Sequence, residues 1–244
     1  MIYRVRERQM SYGRPIGILM LEEHIPCPPG TVGNPTTFSY PICYEIVKGV
    51  SIDSLKNLNR PDSLQPFIEA GRILVEKGVC AITGNCGLMI VHQEQMARAL
   101  PVPVFMSSLL QLPFVARLFG PEARVGIMAS SRKSLKPEHI AMAAAGNDIP
   151  TVLAAMDDCP HFRGAVGEES GVLDFEKVEA EVVAVARELV AQNPDVRVIL
   201  FECTDLPPYA AAVQDAVGLP VFDVTTLIDH VASALVRKPF VGVY

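Results

Sequence analysis

The stretch that decides the fold is residues 79–93, which read VCAITGNCGLMIVHQ. An apolar run from Val79 breaks at Gly84 and an apolar helical pattern resumes at Leu88, so the residues between them are predicted to form a strand-to-helix turn. This turn places the thiol of Cys86 at the start of a helix, where free main-chain N–H groups and the helix dipole stabilise a thiolate. We therefore expect the pKa of Cys86 to lie below that of an ordinary cysteine.

A second stretch of the chain repeats this plan. The apolar segment 196–201 is followed by ECTDLP at residues 202–207 and then by another helical pattern, so Cys203 also follows a strand. A single cysteine at a strand end is more often a small buried hydrophobic residue than a catalytic group. The matched placement of two thiols at two equivalent turns favours a chemical role for the pair.

The two halves of the sequence also resemble each other. Residues 16–19, IGIL, correspond to residues 125–128, VGIM, and a Leu-Pro-Val sequence precedes the last strand of each half. Strands that alternate with helices predict doubly wound parallel sheets. We therefore expect an α/β protein of two pseudo-symmetric lobes with the active site between them. The first lobe is predicted to hold residues 14–107 and 222–244, and the second residues 108–221.

The predicted strands are separated by helices and by two long loops. Strands are expected at residues 16–21, 44–50, 79–82, 102–106, 125–129, 152–156, 196–201 and 221–223. The prolines and glycines of residues 22–43 exclude regular structure there, and residues 157–171 form a second segment that is predicted to be irregular. Long loops in compact domains often cover functional sites. Cys80, inside a predicted strand, is expected to pack in the core.

Composition excludes several classes of function. The chain has 244 residues and a formal net charge of −6, without a block of lysine or arginine, so we expect no nucleic-acid partner. No apolar run approaches the roughly 18 residues of a membrane span, and the N-terminus lacks the apolar core of a secretory signal, so we expect a cytoplasmic protein with no membrane partner. The six cysteines should be free thiols, and the histidines lack the spacing of metal ligands, so no metal is expected.

The paired thiols suit a particular chemistry. In open α/β sheets ligands bind at the carboxyl ends of the strands, which is where both cysteines lie. If the lobes face each other, Cys86 and Cys203 approach one small ligand from opposite sides. Inversion at a carbon acid needs a base on one face and an acid on the other, and a thiolate and a thiol exchange these roles at each turnover. This scheme requires no metal and no organic cofactor.

At these motifs the chain resembles the cofactor-independent aspartate/glutamate racemase superfamily, which includes hydantoin racemase and arylmalonate decarboxylase. The resemblance includes GNCG at residues 84–87 and ECTDLP at residues 202–207. It implies that Cys86 and Cys203 are catalytic. It also implies that small polar or glycine positions beside them, together with two serines after the first strand of the second lobe, bind the substrate carboxylate: Asn85, Gly87, Thr204, Ser130 and Ser131.

Two further candidate residues follow from the resemblance. Asp205 stands where glutamate racemases carry a histidine and aspartate racemases an acid, so it disfavours a glutamate racemase; a helix cap is an equally open interpretation of this residue. The segment GTVGNP, residues 30–35, resembles a loop of one branch of the superfamily. Asn34 in that segment is a further candidate for substrate binding.

Three functions stay open from the sequence. The first is a racemase or epimerase that acts on a small carboxylate or hydantoin substrate with both cysteines. The second is a decarboxylase or cis-trans isomerase of the same fold that needs one thiol. The third is a non-catalytic two-lobed binding protein. We also expect a homo-oligomer, although no stretch of the sequence identifies its interface.

Overall fold

The computed structural model describes residues 9, 12–52, 55, 64–120 and 122–242. Its first sheet contains β1 (Ile16–Met20), β2 (Ile42–Ile46) and β3 (Ala81–Gly84), which are parallel and lie in the order β2-β1-β3. The second sheet contains β4 (Arg124–Ala129), β5 (Thr151–Ala155), β6 (Val196–Phe201) and β7 (Val221–Phe222), also parallel, in the order β5-β4-β6-β7. The predicted α/β class with two parallel sheets is confirmed.

Helices connect the strands in both halves. They are α1 (Leu64–Glu76), α2 (Gln93–Ala99), α3 (Leu112–Leu118), α4 (Pro137–Ala144), α5 (Pro160–Phe162), α6 (Phe175–Gln192), α7 (Ala210–Val217) and α8 (Val224–Leu235). Carboxylates cap two of them: Asp174 accepts from the N–H of Lys177 at the start of α6, and Asp223 accepts from the first N–H groups of α8. In the described part of the chain, no helix combines the length and apolar character that a membrane crossing requires.

The duplication extends to individual contacts. Gly17 in β1 and Gly126 in β4 occupy equivalent central positions, and a Cβ atom added to either would lie 2.9 Å from a leucine methyl group of the helix packed against its sheet. The residue before each cysteine is also held in the same way. The N–H of Asn85 donates to the Leu19 carbonyl at the end of β1, and the N–H of Glu202 makes the equivalent bond to Met128 in β4. The two halves are therefore copies of one scaffold.

A shared core joins the two sheets. One cluster of buried side chains contains residues of β1 and β3 as well as Ile127 of β4 and Leu200 of β6. On the other face of the first sheet, Ile228 of α8 packs with Ile16 and Ile18 of β1. Burial of apolar surface on both sheets stabilises the arrangement that holds the strand ends together. The lobe boundaries given above stay a prediction.

Several local predictions from the sequence are wrong. The second strand covers residues 42–46 rather than 44–50, and residues 35–37, where no regular structure was expected, form a short 3₁₀ helix. Residues 102–106 form only an isolated bridge between Val104 and Ile82, and the side-chain amide of Gln93 bonds the outer side of this segment at Val104 and Met106, so no further strand pairs there. The segment 157–171 is partly helical, as α5 leads into a π-helical turn over Arg163–Gly167. Cys80 is exposed because β3 begins one residue later.

The helical part of the 157–171 segment has an identifiable cause. The carboxylate of Glu181 in α6 accepts hydrogen bonds from the N–H groups of His161 and Phe162, at 3.0 and 2.8 Å. An external carboxylate therefore satisfies N–H groups at the start of α5 that would otherwise lack a partner. This contact joins residues 20 positions apart, so the local sequence does not reveal it.

Candidate active site

Both cysteine turns open on one cavity of about 310 Å³ between the two sheets. Cys86 and Cys203 line this cavity, which is also bordered by the loops after β1, β4 and β5 and by the 157–171 segment. The other lining residues that carry polar or charged side chains are Glu23, Asn85, Ser130, Ser131, Ser134, Asp157, Arg163, Glu168, Glu169, Glu202, Thr204 and Asp205. The structure thus brings together thiols that lie more than 100 positions apart in the sequence.

The two turns share a main-chain hydrogen bond to sulfur. Cys86 has an extended backbone after β3 and precedes a 3₁₀ helix over Gly87–His92. The N–H two residues after each cysteine hydrogen-bonds the sulfur, from Leu88 in the first turn and from Asp205 in the second. Main-chain donors aimed at sulfur stabilise a thiolate when one forms. The fold therefore prepares both sulfur atoms in the same way.

The two turns also contact each other. The hydroxyl of Thr204 donates a hydrogen bond to the main-chain carbonyl of Asn85. Gly87 lies against Glu202, so closely that an added Cβ would come within 2.3 Å of the Glu202 carbonyl oxygen. A side chain at position 87 is thus excluded by backbone, and glycine is what allows the turns to meet.

The electrostatic environment overturns the predicted direction of the thiol pKa values. Burial, followed by the nearby carboxyls of Glu202 and Glu23, raises the pKa of Cys86 well above that of an ordinary cysteine. Burial and then the carboxyls of Asp205 and Glu202 raise the pKa of Cys203 in the same direction. A 3₁₀ helix and one N–H donor do not compensate for the loss of water and for neighbouring acids. In the free protein both groups are therefore thiols.

The acids around the thiols also hold their protons more tightly than usual. Burial and then the charge of Asp205 raise the pKa of Glu23 and that of Glu202 to about 8. Burial raises the pKa of Asp205 to about 6. Near neutral pH, Asp205 is thus the ionised member of this group. The Cys203 thiol donates to its Oδ2 atom at 3.6 Å, so the buried sulfur has a proton acceptor beside it.

The predicted substrate-binding residues divide into three groups. Gly87, Ser130, Thr204 and Asp205 lie on the cavity wall. Asn85 and Ser131 also line the cavity, but their side chains hold neighbours in place: the Asn85 amide joins the Leu21 N–H to Glu23, and the Ser131 hydroxyl donates to Asp157 at 2.7 Å.

Asn34 is not brought to the cavity. Its side chain accepts from the N–H of Thr36 at 3.0 Å and donates to the carbonyl of Cys27 at 2.9 Å, which caps the 3₁₀ helix Pro35–Thr37. The structure places this residue in loop construction, away from the cavity lining. The prediction that it binds substrate therefore has no support from its position.

Most of the acids in the site have no role among the predictions from the sequence. Glu202 directly precedes Cys203, and Glu23 follows β1, so the positions of both residues at strand ends could have indicated that they lie in the site. Asp157, Glu168 and Glu169 come from the segment after β5 and carried none. Among the described lining residues Arg163 is the only lysine or arginine, and its side chain pairs with Glu168 at 3.2 Å. The site is thus strongly acidic.

Solved structures show which known fold this chain has. A variant of arylmalonate decarboxylase matches with a TM-score of 0.63 and 15% identity, over 93% of this chain and 97% of that chain. An aspartate racemase homologue from Pyrococcus horikoshii OT3 matches with a TM-score of 0.56 and 16% identity, over 90% and 99% of the two chains. The chain has the fold of the aspartate/glutamate racemase and arylmalonate decarboxylase superfamily, as the resemblance implied.

Sequence relatives identify the family more closely. A dimethylsulfoniopropionate lyase from Durusdinium sp. clade D is 33% identical over 231 residues, which cover 93% of this chain and 77% of that protein. Dimethylsulfoniopropionate lyase 3 from Emiliania huxleyi is 33% identical over 237 residues, and the chain spans 61% of its length. No protein-family profile matches the chain. The chain belongs to the dimethylsulfoniopropionate lyase family. These relatives are enzymes, and they are named as lyases rather than isomerases.

Proposed function

We propose that this protein is a lyase that eliminates dimethyl sulfide from dimethylsulfoniopropionate or a close sulfonium analogue. The observation that carries the proposal is a cavity that combines two thiols with an excess of carboxyl groups. Sequence relatives that are named for this reaction support it. It belongs to the one-thiol class of reactions, of which decarboxylation and isomerisation were the examples expected from the sequence, rather than to racemisation.

The charge of the cavity favours a sulfonium substrate over an amino dicarboxylate. Six acidic residues line the cavity against one arginine, which is already paired with Glu168. Aspartate or glutamate would add two carboxylates to this surface, and unpaired like charges are destabilising at short distance. Dimethylsulfoniopropionate carries one positive sulfur and one carboxylate, so its cationic end is attracted by Asp205, which is ionised near neutral pH and would repel a dicarboxylate.

The elimination can be written with the groups present in the cavity. Asp205 accepts the proton of Cys203, and the resulting thiolate removes a proton from the carbon next to the substrate carboxylate. The C–H electron pair becomes the carbon–carbon double bond, and the C–S bond breaks with its electron pair left on sulfur. The products are dimethyl sulfide and acrylate, and Asp205 returns its proton to solvent. No proton has to be delivered to the opposite face of the substrate.

Racemisation is the second candidate function, because both thiols line one cavity as a two-base mechanism requires. The two reactions differ in what they need from Cys86. A racemase uses Cys86 to return or remove a proton at the same carbon, whereas the lyase uses Cys86 only as part of the cavity wall.

Headspace gas chromatography on the purified chain with dimethylsulfoniopropionate tests the proposal. We expect dimethyl sulfide from the wild-type protein and loss of the signal in Cys203→Ala. The control Cys80→Ala should keep the full signal, since Cys80 is exposed and does not line the cavity. Absence of dimethyl sulfide from the wild type, together with cysteine-dependent exchange of solvent deuterium into an amino acid, would replace the lyase with the racemase.

A further inference from the structure

A small side cavity of about 40 Å³ adjoins the main one on the first-lobe side. The two cavities share five lining residues, Glu23, Ile25, Asn85, Thr204 and Asp205. The side cavity continues past them to Met20, Leu21, Cys27, Thr31, Val32 and Gly33. It therefore begins beside Asp205, the acceptor of the Cys203 proton, and extends beneath the loop after β1.

The size of the side cavity fits a small branched group. At about 40 Å³ beside a main cavity of about 310 Å³, it has room for a small group and not for a whole substrate molecule. A dimethylsulfonium group has three heavy atoms. The rest of the substrate, a two-carbon chain and a carboxylate, then lies in the main cavity, with its carboxylate toward the serine-rich wall after β4.

The lining of the side cavity matches the chemistry of a methylated cation. Methyl groups on sulfur favour apolar and sulfur-containing contacts, which Met20, Val32 and Cys27 provide. The positive charge on sulfur favours a carboxylate, and Asp205, which is ionised near neutral pH, lies where the two cavities meet, together with the carboxyl group of Glu23. A purely apolar cavity would not attract the cation, and a purely acidic one would leave the methyl groups without packing partners.

The loop that forms this cavity is rigidly built. Gly30 has a φ of 106°, and an added Cβ there would lie 2.7 Å from the Cα of Pro208, which follows the second cysteine turn. The hydroxyl of Thr37 bridges the loop, accepting from the Gly30 N–H at 2.9 Å and donating to the Thr31 carbonyl at 2.7 Å. Thr31 and Val32 are consequently buried. Thr31, Val32 and Gly33 of the GTVGNP segment, rather than the predicted Asn34, thus form one wall of the side cavity.

Resting on the proposed function, we propose that the side cavity binds the dimethylsulfonium group of the substrate and receives the dimethyl sulfide that leaves. The assignment gives the GTVGNP loop a role in selecting the groups carried by sulfur. It also places the breaking C–S bond beside Asp205 and Glu23, with the carbon that loses its proton between the two thiol turns.

Substrates of graded size test the assignment. The wild-type protein should prefer dimethylsulfoniopropionate to diethylsulfoniopropionate in kcat/KM by about tenfold or more, in the range that one or two misfitting methylenes produce. Val32→Ala should reduce this ratio at least fivefold by enlarging the cavity. Cys27→Leu, at a partly open position with less risk to folding, should lower turnover of both substrates, and of the diethyl one most. Val115→Ala, which removes the same atoms from a buried site lining neither cavity, should leave the ratio unchanged.

Two unreactive ligands of equal shape test whether the side cavity prefers a positive charge at the position of the substrate sulfur. N,N-dimethyl-β-alanine carries a positive charge at the position of the substrate sulfur, and 4-methylpentanoate carries an uncharged carbon there. As competitive inhibitors of dimethyl sulfide release, the cationic ligand should bind the wild type about tenfold more tightly than 4-methylpentanoate. At about pH 9, where Glu23 with its pKa of about 8 is ionised, Glu23→Gln should reduce that preference without weakening 4-methylpentanoate, since glutamine preserves an acceptor for the Asn85 amide.

The outcomes separate the two proposals. If the wild type releases no dimethyl sulfide, the lyase reaction is wrong and the leaving-group assignment falls with it. If dimethyl sulfide is released but neither Val32→Ala nor Cys27→Leu changes the ratio for the two sulfonium substrates, the side cavity is not the sulfonium site, and the lyase reaction stands. If the wild type and Glu23→Gln each bind the two inhibitors equally well, the assignment of the side cavity is also wrong, and the lyase reaction stands.

Discussion

The first cysteine turn reads Asn85-Cys86-Gly87-Leu88, and the second reads Glu202-Cys203-Thr204-Asp205. Both follow the third strand of their sheet, and in both an N–H two positions on hydrogen-bonds the sulfur. The side chains differ. An acid directly precedes Cys203 and another lies two positions after it, whereas the equivalent positions around Cys86 carry an amide and a leucine. The shared scaffold positions two sulfur atoms, and the unshared side chains supply one of them with a proton acceptor.

The largest expected effect is the difference in activity between the alanine variants of the two cysteines. We expect Cys203→Ala to lower kcat/KM for dimethyl sulfide release by about 10³-fold, as loss of a general base does, and Cys86→Ala to lower it by only about tenfold through the shape of the cavity. Steady-state assays of both variants, with thermal unfolding as a check on folding, measure this difference. Equal losses of about 10³-fold would show that the turns act as a symmetric two-base pair.

A smaller loss should follow when the acceptor beside Cys203 is removed. Asp205→Asn keeps the shape of the side chain but cannot take the proton, so we expect kcat to fall by about 10²-fold. Because Asp205 of the free protein ionises with a pKa of about 6, wild-type kcat/KM should rise as the pH increases through 6, and this rise should be absent from the variant. A pH profile that keeps the same rise in Asp205→Asn would assign it to another group.

The comparison of the turns also shows what the sequence could predict. Period and breaks in the apolar pattern predict every strand of the two sheets and the placement of Cys86 and Cys203, although they add a strand at 102–106 that forms only an isolated bridge. The predicted direction of the thiol pKa values is wrong, since it depends on burial and on nearby acids, Glu202 and Glu23 at Cys86 and Asp205 and Glu202 at Cys203, and tertiary packing decides the burial. The acidic character of the cavity was missed for the same reason, as its members come from distant segments.

The point where the turns touch should be sensitive to one methyl group. In Gly87→Ala the new Cβ would meet the main-chain oxygen of Glu202, which cannot move as a side chain can. We expect a loss of about 2 kcal/mol in the free energy of unfolding. Gly164→Ala is the matched control, since an added Cβ there meets no atom within 4 Å. Urea denaturation of both variants measures this loss. Equal free energies of unfolding would mean that the two turns can move apart without destabilising the protein.

The smallest effects are expected at the two equivalent glycines of the central strands, and these two losses of stability should be equal. Gly17→Ala and Gly126→Ala each bring a Cβ to 2.9 Å from a leucine methyl group, of Leu74 and Leu189, and these side-chain ends can shift. We expect each variant to lose about 1 kcal/mol of stability, with the two values equal within about 0.5 kcal/mol. Urea denaturation curves measured side by side test the equivalence of the halves. A large difference would limit the duplication to the backbone.

The most direct test of the account uses dimethylsulfoniopropionate that carries deuterium on the carbon next to its carboxylate. We predict that the wild-type protein forms dimethyl sulfide and acrylate in equal amounts, that deuterium lowers kcat/KM, and that Cys203→Ala forms both products about 10³-fold less efficiently. No dimethyl sulfide, or dimethyl sulfide formed at full rate by Cys203→Ala, would contradict the assignment of Cys203 as the base of a sulfonium lyase.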